Sequence, residues 1–145
     1  MGRAILVGGL IVGTLDALDA VIVFGLRGAA PLRIFQSIAA GVLGRASYQG
    51  GITSAALGFG LHYLIAFLIV TAFCVIARIV PALLDHVVVS GIVYGIGVYF
   101  VMNYVVIPLS ATSRAPFVWM VFINGLAIHA FGVGLPSAIA ARAFR

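Results

Sequence analysis

The sequence predicts an all-α integral membrane protein: a four-helix bundle with one short interfacial or re-entrant helix between spans one and two. Of its 145 residues, 64% are apolar and 8% charged, and mean hydropathy is +1.29. Soluble domains run at about 45–50% apolar and 25% charged. Four runs reach the roughly 20 residues that a helix needs to cross about 30 Å of hydrocarbon. Their apolar residues are continuous instead of alternating, which separates them from the strands of a β-barrel.

The first span runs from Ala4 to Leu26 and carries Gly9-x-x-x-Gly13, a spacing that lets helices pack closely in lipid. Arg3, the apolar stretch after it, and Ala17 and Ala20 also look like a signal peptide, but the segment is expected to stay attached. Pro31 to Gly44 is helix-length yet too short to span, and Pro31 suits a first helical turn. Helical spacing groups Arg33, Gln36 and Ser37 on one face, with Leu32, Phe35, Ile38, Ala39 and Val42 largely elsewhere. Two readings stand for this helix, a surface-lying connector or a re-entrant element lining a cavity. The second span is Gly51 to Ala77. The third is Leu84 to Leu109, with Gly91-x-x-x-Gly95, and the fourth is Phe117 to Ala141. Pro81 and Pro116 punctuate the loops before the last two spans. All 145 residues are expected to form a single transmembrane domain.

The charge of +5 comes from eight arginines against three aspartates. The arginines sit near the ends of apolar runs, as headgroup anchors do, and none lies within two positions of another, so nucleic-acid binding is not indicated. Four spans put both termini on one side, here side A, with Arg3, Arg78, Arg142 and Arg145. Side B has Arg27, Arg33, Arg45 and Arg114, so the positive-inside count is tied and orientation is open. Cys74 has no second cysteine to pair with and reads as a small buried hydrophobe.

Ionisable groups inside a bilayer are costly, so Asp16, Asp19, His62 and His129 are the first places to look for function. At about 1.5 Å per residue from the side B ends, these four lie about 15, 10, 16 and 18 Å deep. Tyr99 and Asn103 come out at about 15 and 9 Å. All four spans therefore contribute to one polar layer. Gly58-x-x-x-His62 and Gly125-x-x-x-His129 direct both histidines toward helix–helix contacts. The histidines suit hydrogen-bonded core imidazoles, a proton or ion pathway, or metal and haem ligands. The aspartates suit pairing with Arg33 or histidine, or transport chemistry. Asn124 has no evident partner, and Trp119 reads as an interfacial anchor. Asp85 and His86 read as solvated helix-start residues.

Catalytic motifs are missing. There is no C-x-x-C-H, G-x-S-x-G, P-loop or G-x-G-x-x-G, and a chain without glutamate cannot carry H-E-x-x-H. An enzyme is therefore disfavoured, an intramembrane one using Asp and His being the residual alternative.

The strings Pro31-Leu-Arg-Ile-Phe-Gln-Ser-Ile-Ala-Ala-Gly41, Gly60-Leu-His62 and Met102-Asn-Tyr-Val-Val-Ile-Pro-Leu-Ser110 resemble a family of uncharacterised bacterial four-span inner-membrane proteins. The resemblance covers most of the chain. It implies a bacterial inner-membrane location and singles out Arg33, Gln36, Ser37, His62, Asn103 and Ser110. The expected function is an oligomeric channel or carrier for protons, cations or a small solute. Its polar layer would be Asp16, Asp19, His62, His129, Asn103 and Tyr99, entered past Arg33, Gln36, Ser37 and Ser110. The alternatives are an accessory subunit of a larger membrane complex and a bis-histidine haem carrier, with His62 and His129 as ligands to haem or a metal ion.

Overall fold

A computed structural model describes residues 1–145. It has no strands, and four helices are long and apolar enough to cross a membrane: α1 (Gly2–Leu26), α3 (Gly51–Ile79), α4 (Val87–Leu109) and α5 (Trp119–Ala143). These helices mark the chain as a multi-pass membrane protein. Between α1 and α3 lies α2 (Pro31–Leu43), followed by a 3-10 turn over Gly44–Gln49. The third span was expected from Leu84 but starts at Val87, because Pro81–Leu84 makes a separate 3-10 turn. Val118 is extended, so the fourth helix starts at Trp119 instead of Phe117.

The chain leaves α1 through Gly28, whose φ of +90° is open to glycine and strained for other residues. This turn lets the Ala29 N–H donate to the Phe24 carbonyl at 2.9 Å. Pro31 then opens α2, where a missing N–H costs nothing. Helix α3 is about 44 Å long, more than the hydrocarbon core requires. The surplus gives α2 a wall to rest on. At Gly58 the backbone of Phe35 and Ala39 lies directly against α3, and an added Cβ would run into the Phe35 carbonyl. Gly58 is about 10 Å in from the side B end of α3, so α2 is docked along that helix's flank.

The two G-x-x-x-G pairs do different jobs. In α4, Gly91 and Gly95 receive the backbone of α5: a Cβ on Gly95 would overlap the His129 carbonyl, and one on Gly91 would lie 2.7 Å from Leu135 Cα. In α1, Gly9 and Gly13 instead receive the rings of Phe67 and Tyr63 from α3. Close backbone approach was expected at both; here aromatic side chains fill the second.

The main buried apolar cluster lies in the side A half, where Val12, Val70, Phe73, Val133 and Ala138 meet, and a smaller buried patch of Ile34, Ala39, Ala40 and Ala55 lies between α2 and α3 toward side B. Tyr94 Oη donates to the Ile69 carbonyl at 2.6 Å and ties α4 to α3 there. Toward side B the packing passes to α2 and α3. Beyond Gly13 in α1, beyond Tyr99 in α4 and before Ala130 in α5, no residue is buried. Those three helices are packed at their side A ends and open at their side B ends.

Helices α4 and α5 each widen into a π-turn, over Met102–Val106 and His129–Gly134. Each π-turn ends two residues before a proline, Pro108 or Pro136. Proline lacks the N–H that would bond the carbonyl four residues back, and its ring pushes that carbonyl aside. A wider turn accommodates the displacement, at the depth where packing gives way.

Candidate functional site

Asp16 and His62 form the centre of the polar layer. His62, buried on α3, places Nε2 2.8 Å from the Gly13 carbonyl of α1. A carbonyl only accepts, so Nε2 carries a hydrogen and donates. In the neutral ring the other nitrogen then holds a lone pair. That nitrogen, Nδ1, is 3.9 Å from Asp16 Oδ2. A lone pair facing a carboxylate repels it, whereas one proton on either group turns the contact into an attraction. The 3.9 Å contact therefore lacks the hydrogen that would join the two groups. Gly13 creates it twice over, by supplying the carbonyl and by leaving space for Tyr63. Tyr63 Oη in turn lies 2.9 Å from Thr14 Oγ1, a second link between α1 and α3.

Three residues further along α1, Asp19 Oδ2 accepts a 2.7 Å hydrogen bond from Asn124 Nδ2 of α5. Three-residue spacing keeps Asp16 and Asp19 on one flank of the helix. The two carboxylates thus bridge α1 to α3 on one side and to α5 on the other. Neither makes an ion pair with arginine. In a bilayer an uncompensated carboxylate is expensive, so this flank calls for protons or cations.

His129 and Tyr99 belong to the α4–α5 contact. His129 Nδ1 bonds the Gly125 carbonyl of its own helix at 2.9 Å, which leaves Nε2 free, and its ring stacks edge-on against Tyr99 at 5.4 Å. The glycine four residues earlier therefore supplies a carbonyl in addition to a small surface. With α5 starting at Trp119, His129 is about 15 Å from the side B end, level with Asp16, His62 and Tyr99. Asn103 Nδ2 donates to the Tyr99 carbonyl four residues back, beside the α4 π-turn.

The four residues expected at an entrance do not act together. Arg33 reaches the Tyr48 carbonyl at 3.3 Å and lies over that ring, so it compensates neither aspartate. Ser37 and Ser110 each donate to a carbonyl three residues earlier, while Ala111 N–H joins the Gly41 carbonyl at 2.9 Å. Gln36 is 2% exposed and sits in a closed polar ring. Its Nε2 donates to Ser54 Oγ, Ser54 to the Ser47 carbonyl, and Ser47 to the Gln36 carbonyl, at 3.3, 2.6 and 2.6 Å. This ring clamps α2 to α3. Gln36→Leu is expected to lower unfolding free energy in detergent by about 1–3 kcal/mol by leaving buried polar partners unmatched. An unchanged unfolding curve would remove the clamp from the account.

The metal and haem readings find no matching site. No group of three or more His, Cys, Asp or Glu is gathered around one point. Of the two imidazoles, His62 Nε2 is bonded to the Gly13 carbonyl of α1 and His129 Nδ1 to the Gly125 carbonyl of its own helix. Sequence reading missed Tyr63 and left Asn124 without a partner. A polar residue beside His62 and an asparagine at the depth of Asp19 were the available signals. Set against known proteins, the chain matches no family model, no curated protein and no solved structure.

Proposed function

We propose that this chain is a proton- or cation-linked carrier of the bacterial inner membrane that works as an oligomer and takes its ion at Asp16 and His62. The observation that carries the reading is the fixed His62 tautomer: Nε2–H is held by the Gly13 carbonyl, and Nδ1 faces a carboxylate no arginine neutralises. One proton, or one small cation on Asp16, satisfies that pair. Asp19, held by Asn124 one turn nearer side B, is a second stop on the same flank.

A carrier fits better than an open channel. In the side A core the hydroxyls of Thr71, Tyr94 and Ser137 are already bonded to backbone carbonyls, whereas α1, α4 and α5 bury no residue near their side B ends. Passage requires the halves to exchange their packing, and the two π-turns mark where α4 and α5 can bend. A protomer of 145 residues encloses little space, so in this proposal the ion path forms more easily between copies.

The test is proton uptake into proteoliposomes under an imposed pH gradient. Wild-type protein should raise the rate well above that of empty vesicles. Asp16→Asn, which keeps the shape and removes the charge, should bring it back to that background. Wild-type flux from Asp16→Asn would overturn the proposal.

A further inference from the structure

At the opposite end of the bundle a groove of about 300 Å³ opens between the side A ends of α1, α3 and α5. Its wall is apolar, with Ala4, Cys74, Ala77, Leu84 and Ala141, and its rim carries Arg78 and Arg145. Neither arginine makes an ion pair, and Arg33, at the other end of the molecule, is the one arginine whose side chain donates a hydrogen bond within the chain. No acidic side chain lines the groove. A third guanidinium, Arg3, is parked 5.4 Å above the ring of Phe144, which also lines it. Cys74 lies five residues inside the end of α3, about 6 Å below the level of Arg78 and the lipid headgroups.

From this juxtaposition we infer that the groove binds an anionic phospholipid, its phosphate between Arg78 and Arg145 and the start of one acyl chain along the wall down to Cys74. Guanidinium forks match phosphate oxygens two at a time, and basic pockets between membrane helices hold lipid headgroups in this way. A free phosphate would use the rim and leave the apolar wall empty. The lipid uses both. A lipid seated here also bridges α1, α3 and α5.

The lone cysteine gives a direct readout. Detergent-solubilised protein would be titrated with phosphatidylglycerol, with phosphatidylcholine or with inorganic phosphate while alkylation of Cys74 by a maleimide is timed. Phosphatidylglycerol should slow alkylation at least about tenfold, and native mass spectrometry should show one retained lipid per protomer. Arg78→Gln with Arg145→Gln should lose that protection, whereas Arg114→Gln, on side B, should keep it. Equal protection by phosphatidylcholine, protection by inorganic phosphate alone, or full protection in the double variant would each overturn the assignment. The comparison of the two lipids on wild-type protein decides by itself, so a poorly folding variant does not blunt the test.

Discussion

Replacing Gly95 with valine is expected to force α4 and α5 apart and to cost about 3 kcal/mol, the top of the usual range for overpacking. The cost is high because both surfaces are backbone. A side chain can rotate away from an added methyl group, but the His129 carbonyl, which a Cβ on Gly95 would overlap, cannot move without shifting α5. That carbonyl belongs to the first residue of the α5 π-turn, so the damage reaches the polar layer. The thermal midpoint in detergent should fall by roughly 6–12 °C. Gly97→Ala is the matched control: nothing lies within 4 Å of its added Cβ, and helix propensity alone should leave it neutral or slightly stabilised. Equal midpoints for Gly95→Val and wild type would mean that this crossing is not close.

The second large effect is at His62, where two substitutions separate structure from chemistry. His62→Gln keeps an N–H donor for the Gly13 carbonyl but removes the basic nitrogen facing Asp16. It should fold with a loss within about 1 kcal/mol and reduce proton uptake at least about tenfold. His62→Leu removes the donor as well, and should lose the uptake together with about 1–2 kcal/mol of stability. Retained uptake in His62→Gln would show that Asp16 handles the ion without the imidazole. Loss of folding in His62→Gln would show that the ring's shape, and not its hydrogen bond, joins α1 to α3.

Much of this arrangement could be read from the residues. Continuous apolar runs placed the four long helices, because covering backbone polarity in lipid leaves few alternatives to helix. Equal depth together with glycine spacing placed Asp16, His62 and His129 in one layer, since depth follows from a constant rise per residue. What the chain did not reveal depends on partners in space. The spacing of Gly9 and Gly13 matches that of Gly91 and Gly95, yet one pair meets aromatic rings and the other a helix backbone. Gln36 reads as an entrance residue because glutamine is polar, but Ser47 and Ser54 satisfy it in the interior. Pro108 and Pro136 lie inside apolar runs, a kink signal that the reading of the residues did not use. That each yields a π-turn depends on how α4 and α5 cross, which local sequence does not specify.

The packed core and the polar layer divide the work between the two halves of the bundle. Apolar burial near side A holds the helices together, and Arg78 and Arg145 present that end to the headgroup region. Near side B, α2 is clamped to α3 while α1, α4 and α5 bury no residue, and the carboxylates of Asp16 and Asp19 stay partly exposed.

The central claim is that His62 and Asp16 hold one proton between them, with the imidazole tautomer set by the Gly13 carbonyl. Nitrogen-15 NMR of histidine-labelled protein in lipid, followed across pH, tests it most directly. The account predicts that neutral His62 carries its hydrogen on Nε2, donated to the Gly13 carbonyl. A neutral ring with its hydrogen on Nδ1 would contradict it.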